Sequence, residues 1–190
     1  MSRKRQDLVD TAIRLFAEHG YHGTGIDRIA DEAAVSKKTL YHHFRSKEEL
    51  ILAALRHYDG LFRNNFMKMV NKVSDDPYQR LLGIFDVAQA WFSDHRFFGC
   101  MFINAIGEYA DRDTAIRKAS QDFKAQMKAY ILDLAESAGV ADPKTLADAL
   151  ALLLEGSIVT AQVTGTPDAA QTAKSTAKIL VDHARPAAPA

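Results

Sequence analysis

Residues 24–47, TGIDRIADEAAVSKKTLYHHFRSK, hold two short helical patterns separated by a turn. Ile26, Ile29, Ala30 and Ala33 follow the i, i+3, i+4, i+7 spacing of one helix face. Thr24 and Asp27 offer a capping box at its start, with Gly25 as the alternative cap. The next helix is marked more sharply. Ser36 is a good N-cap, and Val35 with Leu40 at N4 forms a hydrophobic staple. Leu40 and Phe44 then face inward one turn apart, which leaves Lys37, Lys38, Tyr41, His42 and Arg45 pointing largely outward.

A short helix, a turn of about three residues and a second short helix make the helix-turn-helix arrangement. The second helix of that motif lies in the DNA major groove with its N-terminal residues at base edges. Here that end carries Lys37 and Lys38, and the following helix starts with Lys47. A helix N-terminus is already about half a positive charge, so each cation there is destabilising by a few tenths of a kcal/mol. Three cations at two neighbouring helix starts fit a docked anion, and a phosphate backbone is the obvious one.

Helical periodicity continues on both sides. Leu8, Val9, Ala12, Ile13, Leu15 and Phe16 form an apolar face that stops at Gly20. Ser46 and Glu49 cap a fourth helix that runs through Leu50, Leu55, Tyr58, Phe62 and Phe66 towards residue 73. Further helices are expected at about 77–94, 98–110, 113–137, 143–163 and 168–184. Breaks fall at Asp76-Pro77, Asp94-His95-Arg96, Gly139, Asp142-Pro143 and Gly165. The 143–163 segment is apolar almost all round up to Leu154, as in a deeply buried helix. No strand pattern or internal repeat is present in the sequence. The fold class is therefore all-α: a helix-turn-helix domain over 1–46, a helical domain over 47–184 and a frayed tail over 185–190.

Composition narrows the class further. Of 190 residues 47% are hydrophobic and 25% charged, which excludes a disordered or collagen-like chain. The single cysteine, Cys100, excludes an internal disulfide framework and a Cys-rich zinc site. No apolar run approaches the ~18 residues of a membrane span, and the start lacks the apolar stretch of a signal peptide. A soluble cytoplasmic protein with no membrane partner is expected. Lys plus Arg equals Asp plus Glu, 24 each, but unevenly. Arg3, Lys4 and Arg5 carry +3, and residues 36–47 carry +4 with no acid, which leaves the rest at −7. Local basic patches on an acidic body suit a DNA-binding module joined to something else.

The stretches FAEHG at 16–20, Ile29-Ala30, AAVSKKTLYHHF at 33–44 and KEEL at 47–50 resemble the N-terminal domain of the TetR family of bacterial transcriptional regulators. The resemblance covers residues 8–52. Two positions depart from it: the family usually has Gly where this chain has Ala34, and often a small residue where it has Lys38. The resemblance implies that Lys37, Lys38, Tyr41 and His42 approach base edges, and that Thr39, His43 and Lys47 hold phosphates of double-stranded operator DNA. Arg3, Lys4 and Arg5 would form an arm reaching an adjacent groove or phosphate. It also implies a helical C-terminal domain that binds a small-molecule effector and forms a homodimer.

The ligand-domain residues are not carried by any motif. Aromatics are dense there, and pockets are mostly apolar with a few placed polar groups. The candidates are Phe62, Phe66, Trp91, Phe98, Met101, Asn104, Glu108 and Glu155. A dimer interface is expected on Leu150, Leu154, Ile158 and Ala161 of one helix and Ala173, Ala177 and Leu180 of the next. His19 and His22 straddle Gly20, and His42 and His43 point different ways, so no metal site is expected. No P-loop or Gly-x-Ser-x-Gly motif is present, so no catalytic role and no cofactor is expected. The competing classes are a helical small-molecule carrier, which has no use for basic helix starts, and a helical enzyme, for which no constellation exists. A ligand-responsive dimeric DNA-binding regulator, a repressor of a palindromic operator, is the reading these residues favour.

Overall fold

A computed structural model describes residues 2–109, 111 and 114–185. Those residues form helices α1 (Arg3–His19), α2 (Ile26–Glu32), α3 (Lys37–His43), α4 (Lys47–Asn71), α5 (Pro77–Phe92), α6 (Met101–Glu108), α7 (Ala115–Ser137), α8 (Pro143–Thr164) and α9 (Asp168–His183). No strand occurs among them. The all-α class expected from periodicity is the class observed.

The compact units are not the consecutive segments 1–46 and 47–184. One unit comprises the chain up to Phe62 together with Cys100–Phe123; the other comprises Arg63–Gly99 and the chain from Lys124 onward. Of the expected tail over 185–190, all but Arg185 lies outside the described residues. Arg185 places its guanidinium 4.5 Å from the Tyr78 ring centre.

In the first unit, Leu8, Ala12, Leu15, Phe16, Ile29, Leu40 and Phe44 are buried together with Leu50, Ile51 and Leu55 of α4. The local chemistry explains each boundary. Gly20 ends α1 at φ 75°, a backbone that costs glycine least. Thr24 does not cap α2. Its buried hydroxyl sits 2.7 Å from the Gly20 carbonyl and 3.1 Å from that of Leu15, and Gly25 takes the N-cap position. Arg14 and Arg28 both donate to the Glu32 carboxylate, tying α1 to α2 and holding that carboxyl below its usual range.

The turn between α2 and α3 passes through Ala34 at φ 51°, the one described non-glycine residue with positive φ. A Cβ there costs about 1–2 kcal/mol, offset in part by the smaller unfolded-state entropy of alanine. Ala34→Gly is therefore expected to stabilise the protein by about 0.5–1 kcal/mol, read as a higher denaturant midpoint with unchanged slope. An unchanged or lower midpoint would show that the turn is unstrained.

In the second unit α5, α8 and α9 pack on one another. Lys174 of α9 reaches Asp86 of α5 at 2.6 Å, and Lys124 and Lys128 of α7 reach Glu155 and Asp148 of α8 at 2.6 and 2.5 Å. α6 starts later than periodicity suggests, at Met101, because Gly99 adopts φ 87° and breaks the helix. A Cβ at Gly99 would lie 2.2 Å from the end of the Gln162 side chain, which would have to move aside for another residue.

Two expectations are corrected here. Leu150, Leu154, Ile158 and Ala161 of α8, with Ala173 and Ala177 of α9, are buried within a single chain, and Leu180 is half-buried. The stripe assigned to a subunit interface is consumed by packing inside the subunit. The uncovered apolar residues lie on the opposite face: Leu152 is 75% exposed, Val163 81% and Ile179 70%, with Val159 also exposed. α8 is thus apolar on two faces. The second correction follows from it: α8, with 22 residues and a mean hydropathy of 1.5 in its most apolar stretch, is long and apolar enough to cross a membrane by composition alone. One such helix is weak evidence, since a core helix has the same composition.

Candidate nucleic-acid interface

α3 is held from behind by two fully buried side chains, Leu40 and Phe44. Ser36 caps its start by accepting the Thr39 N–H at 3.1 Å, and its hydroxyl pairs with that of Thr39 at 2.9 Å. Phe44 ends it with extended backbone. Anchoring so short a helix at both ends fixes the direction in which each remaining residue leaves the backbone. Lys37, Lys38, Tyr41 and His42 are exposed; Thr39 and His43 are half-buried, as is Lys47 at the start of α4. The residues expected at base edges are the exposed ones, and those expected at phosphates are half-buried.

The charges are arranged unevenly. Lys37 places its ammonium 2.7 Å from Asp27 of α2, which raises its pKa. Both groups are largely in solvent, so this pair contributes little to stability and yields readily to another anion. Among the described residues Lys38 has no ion-pair or hydrogen-bond partner. The His42 and His43 rings lie edge to face at 5.3 Å. At the start of α4, Ser46 accepts the Glu49 N–H at 3.2 Å, as the capping box requires. The Glu49 carboxylate, however, accepts from the N–H of Arg45 at 2.7 Å rather than from that of Ser46.

Arg3, Lys4 and Arg5 do not form an arm. They are the first turn of α1, where Ser2 accepts the Arg5 N–H at 3.3 Å and the Arg5 guanidinium lies 4.9 Å from the Phe44 ring centre. Local capping by Ser2 outcompetes the extended conformation an arm needs.

Sequence reading missed the role of Glu108. This last residue of α6 accepts from the backbone N–H groups of Tyr21 and His22 at 2.8 and 2.5 Å, and from the His22 ring at 3.0 Å. A Cβ on Gly20 would lie 2.9 Å from its oxygen. The Tyr21 hydroxyl donates to the Met101 carbonyl at 2.9 Å, and burial pushes that phenol well above its usual pKa. Both ends of α6 therefore hold the turn that leads from α1 into the helix-turn-helix. No local pattern carries this, because the partners are 80 or more residues apart.

Partial burial raises the Glu108 pKa, but the His22 and Tyr21 N–H bonds and the His22 ring outweigh it and leave it below the usual value. A lowered folded-state pKa gives stability that is present above the unfolded-state value of about 4.3 and is lost as pH falls through the folded one. Glu108→Gln is expected to cost about 1–2 kcal/mol at neutral pH, less than a fully buried ionic bond because the carboxylate is partly solvated. The gap between the two proteins should close below about pH 4 in denaturant titrations. A gap independent of pH would mean that the charge is irrelevant.

The ligand candidates fall into separate groups. In the first unit, Phe62 stacks on Tyr58 at 5.4 Å and lies 6.1 Å from Phe123, which stacks on Phe102 at 3.9 Å. Met101 is buried and Asn104 half-buried in the same unit. In the second unit, Trp91 meets Phe97 at 5.1 Å and Phe92 at 5.5 Å; Phe66 is buried and Phe98 is partly exposed. Glu155 has its carboxylate occupied by Lys124. The described residues contain no group of three or more His, Cys, Asp or Glu side chains placed to hold a metal ion.

Comparison with known proteins agrees with this architecture. Residues 8–54 match the family described as bacterial regulatory proteins, tetR family, and residues 77–177 match the tetracyclin repressor-like C-terminal domain. Over 79 residues the chain is 44% identical to the HTH-type transcriptional activator FasR of Mycolicibacterium smegmatis, spanning 41% of this chain and 35% of that one. Over 86 residues it is 37% identical to the HTH-type transcriptional repressor KstR2 of Mycobacterium tuberculosis, spanning 45% of this chain and 42% of that one. The chain thus matches less than half the length of these curated relatives. The fold is similar to that of SCO4454, a TetR-family transcriptional regulator from Streptomyces coelicolor, with a TM-score of 0.88, 26% identity and 96% of each chain covered. With both of its segments matched, the second alone spanning more than half its length, this chain belongs to the TetR family.

Proposed function

We propose that the protein is a one-component transcriptional regulator that binds double-stranded operator DNA as a homodimer and is released by a small-molecule effector. The observation that carries the reading is the exposed quartet Lys37, Lys38, Tyr41 and His42 on a helix fixed by buried Leu40 and Phe44, in a chain of this family. In the complex these four side chains face base edges, and Thr39, His43 and Lys47 hold phosphates. Repression is the favoured output, since a protein seated on an operator excludes others without needing a further contact. Such a protein works where the DNA is, so the reading includes a cytoplasmic location; it assigns no catalysis.

Dimerisation uses the outer face of the last two helices. Leu152, Val159 and Val163 recur at i, i+7 and i+11 on α8 around the exposed Gly156, and Ile179 is the exposed apolar residue of α9. Two copies of this pair make a four-helix contact about a two-fold axis, and a glycine in the stripe allows close approach. The effector site is placed in the aromatic cluster of the first unit, around Tyr58, Phe62 and Phe102, with Asn104 as the nearest uncharged polar candidate.

A gel-retardation assay with the DNA upstream of the protein's own gene tests the function. A shifted band that survives excess unrelated duplex is the expected result. Absence of any shift at low salt, across the upstream region and a random duplex pool, would overturn it.

A further inference from the structure

We infer that the operator half-site carries a guanine read by Lys38; the inference rests on the DNA-binding function proposed above and adds the base chemistry. Lys37, Lys38, Tyr41 and His42 stand on one arc of α3, at i, i+1, i+4 and i+5. An ammonium has three donors and no acceptor, and a phenol and an imidazole supply at least one donor each. The exposed arc holds no Asn or Gln, the side chains that pair bidentately with adenine. It holds no Asp or Glu, the side chains that accept from the cytosine amino group. It is a surface rich in donors, and its two lysines are donors only.

Base edges differ in what they offer such a surface. Guanine presents two adjacent acceptors, N7 and O6. Adenine presents N7 beside an amino donor, which opposes a cation. Cytosine presents an amino donor, and thymine a single acceptor beside a methyl group. A donor-only side chain therefore gains most from guanine.

Lys38 is the residue best placed to do this. Lys38 is exposed and has no partner among the described residues, so it meets a base without giving up a bond, whereas Lys37 must first leave Asp27 at 2.7 Å. His42 lies one helical turn further along the same arc and adds a donor for the adjacent base pair, with the half-exposed Tyr41 beside it in sequence. A two-fold symmetric dimer repeats the guanine in both half-sites.

The test begins with selection from a palindromic duplex pool with randomised half-sites. The winning duplex is then titrated by fluorescence anisotropy with each guanine in turn replaced by 7-deazaguanine, which lacks N7. At one guanine per half-site the replacement should weaken wild-type binding about tenfold or more. The same replacement should be silent in Lys38→Ala, whose exposed site keeps the fold intact by circular dichroism. Selected half-sites without guanine would overturn the inference and leave DNA binding standing. So would a 7-deaza penalty equal in both proteins, or a Lys38→Ala loss uniform over all duplexes, which marks a phosphate contact. No binding to any duplex at low salt would overturn the DNA-binding reading, and this inference with it.

Discussion

Leu152→Arg combined with Val163→Arg is expected to give a folded monomer whose operator affinity is lower by at least ~10³-fold. Both side chains are more than two-thirds exposed in the single chain, so neither arginine disturbs the packing of α8 on α5 and α9. In the dimer each would sit at an apolar contact with its symmetry copy, where an unpaired charge is strongly disfavoured. A monomer keeps one reading helix and about half the phosphate contacts. Specific sites are typically bound 10³–10⁷-fold more tightly than random DNA, and a single half-site loses most of that margin. The same charge on the inner face gives a different outcome. Ala177 is fully buried, and Ala177→Arg should unfold the second unit rather than separate subunits. Light scattering at micromolar concentration with circular dichroism distinguishes the two. A dimer that persists in the outer-face variant would overturn the proposed interface.

Raising the salt concentration from 50 to 200 mM is expected to weaken operator binding by about 10⁴–10⁵-fold. In the proposed complex each half of the interface would neutralise about four or five phosphates, most of them with the cations Lys37, Lys38, Arg45 and Lys47 of residues 36–47. A dimer then displaces about eight to ten counterions, for a log–log slope of about −7 to −9. The net charge of the chain is zero, so this steepness must come from local placement of lysine and arginine rather than from overall attraction. A slope near zero would show that these groups are not on DNA, and a slope near half the expected value would indicate a bound monomer.

The helix-turn-helix was legible in the sequence because everything that defines it is local. Ser36 capping Thr39, the burial of Leu40 and Phe44, and Ser46 at the start of α4 each involve residues at most four apart. Caps and helical periodicity act over that range, so reading them needs no knowledge of the rest of the chain. Ala34 shows the limit of such reading: its departure from the family pattern was visible, but its positive φ was not.

Where a helix has apolar residues on two faces, periodicity cannot say which face meets what. The sequence of α8 supports both the Leu150–Leu154–Ile158 stripe and the Leu152–Val159–Val163 stripe. α5 and α9 settled the matter by covering the first, leaving the second in solvent. Glu108 is the clearer case. Its place in a helix expected at about 98–110 was evident, but its partners Tyr21 and His22 lie 87 and 86 positions earlier. A carboxylate satisfies whichever donors folding brings within hydrogen-bond reach. That depends on the path of the chain through space, which no spacing within α6 encodes.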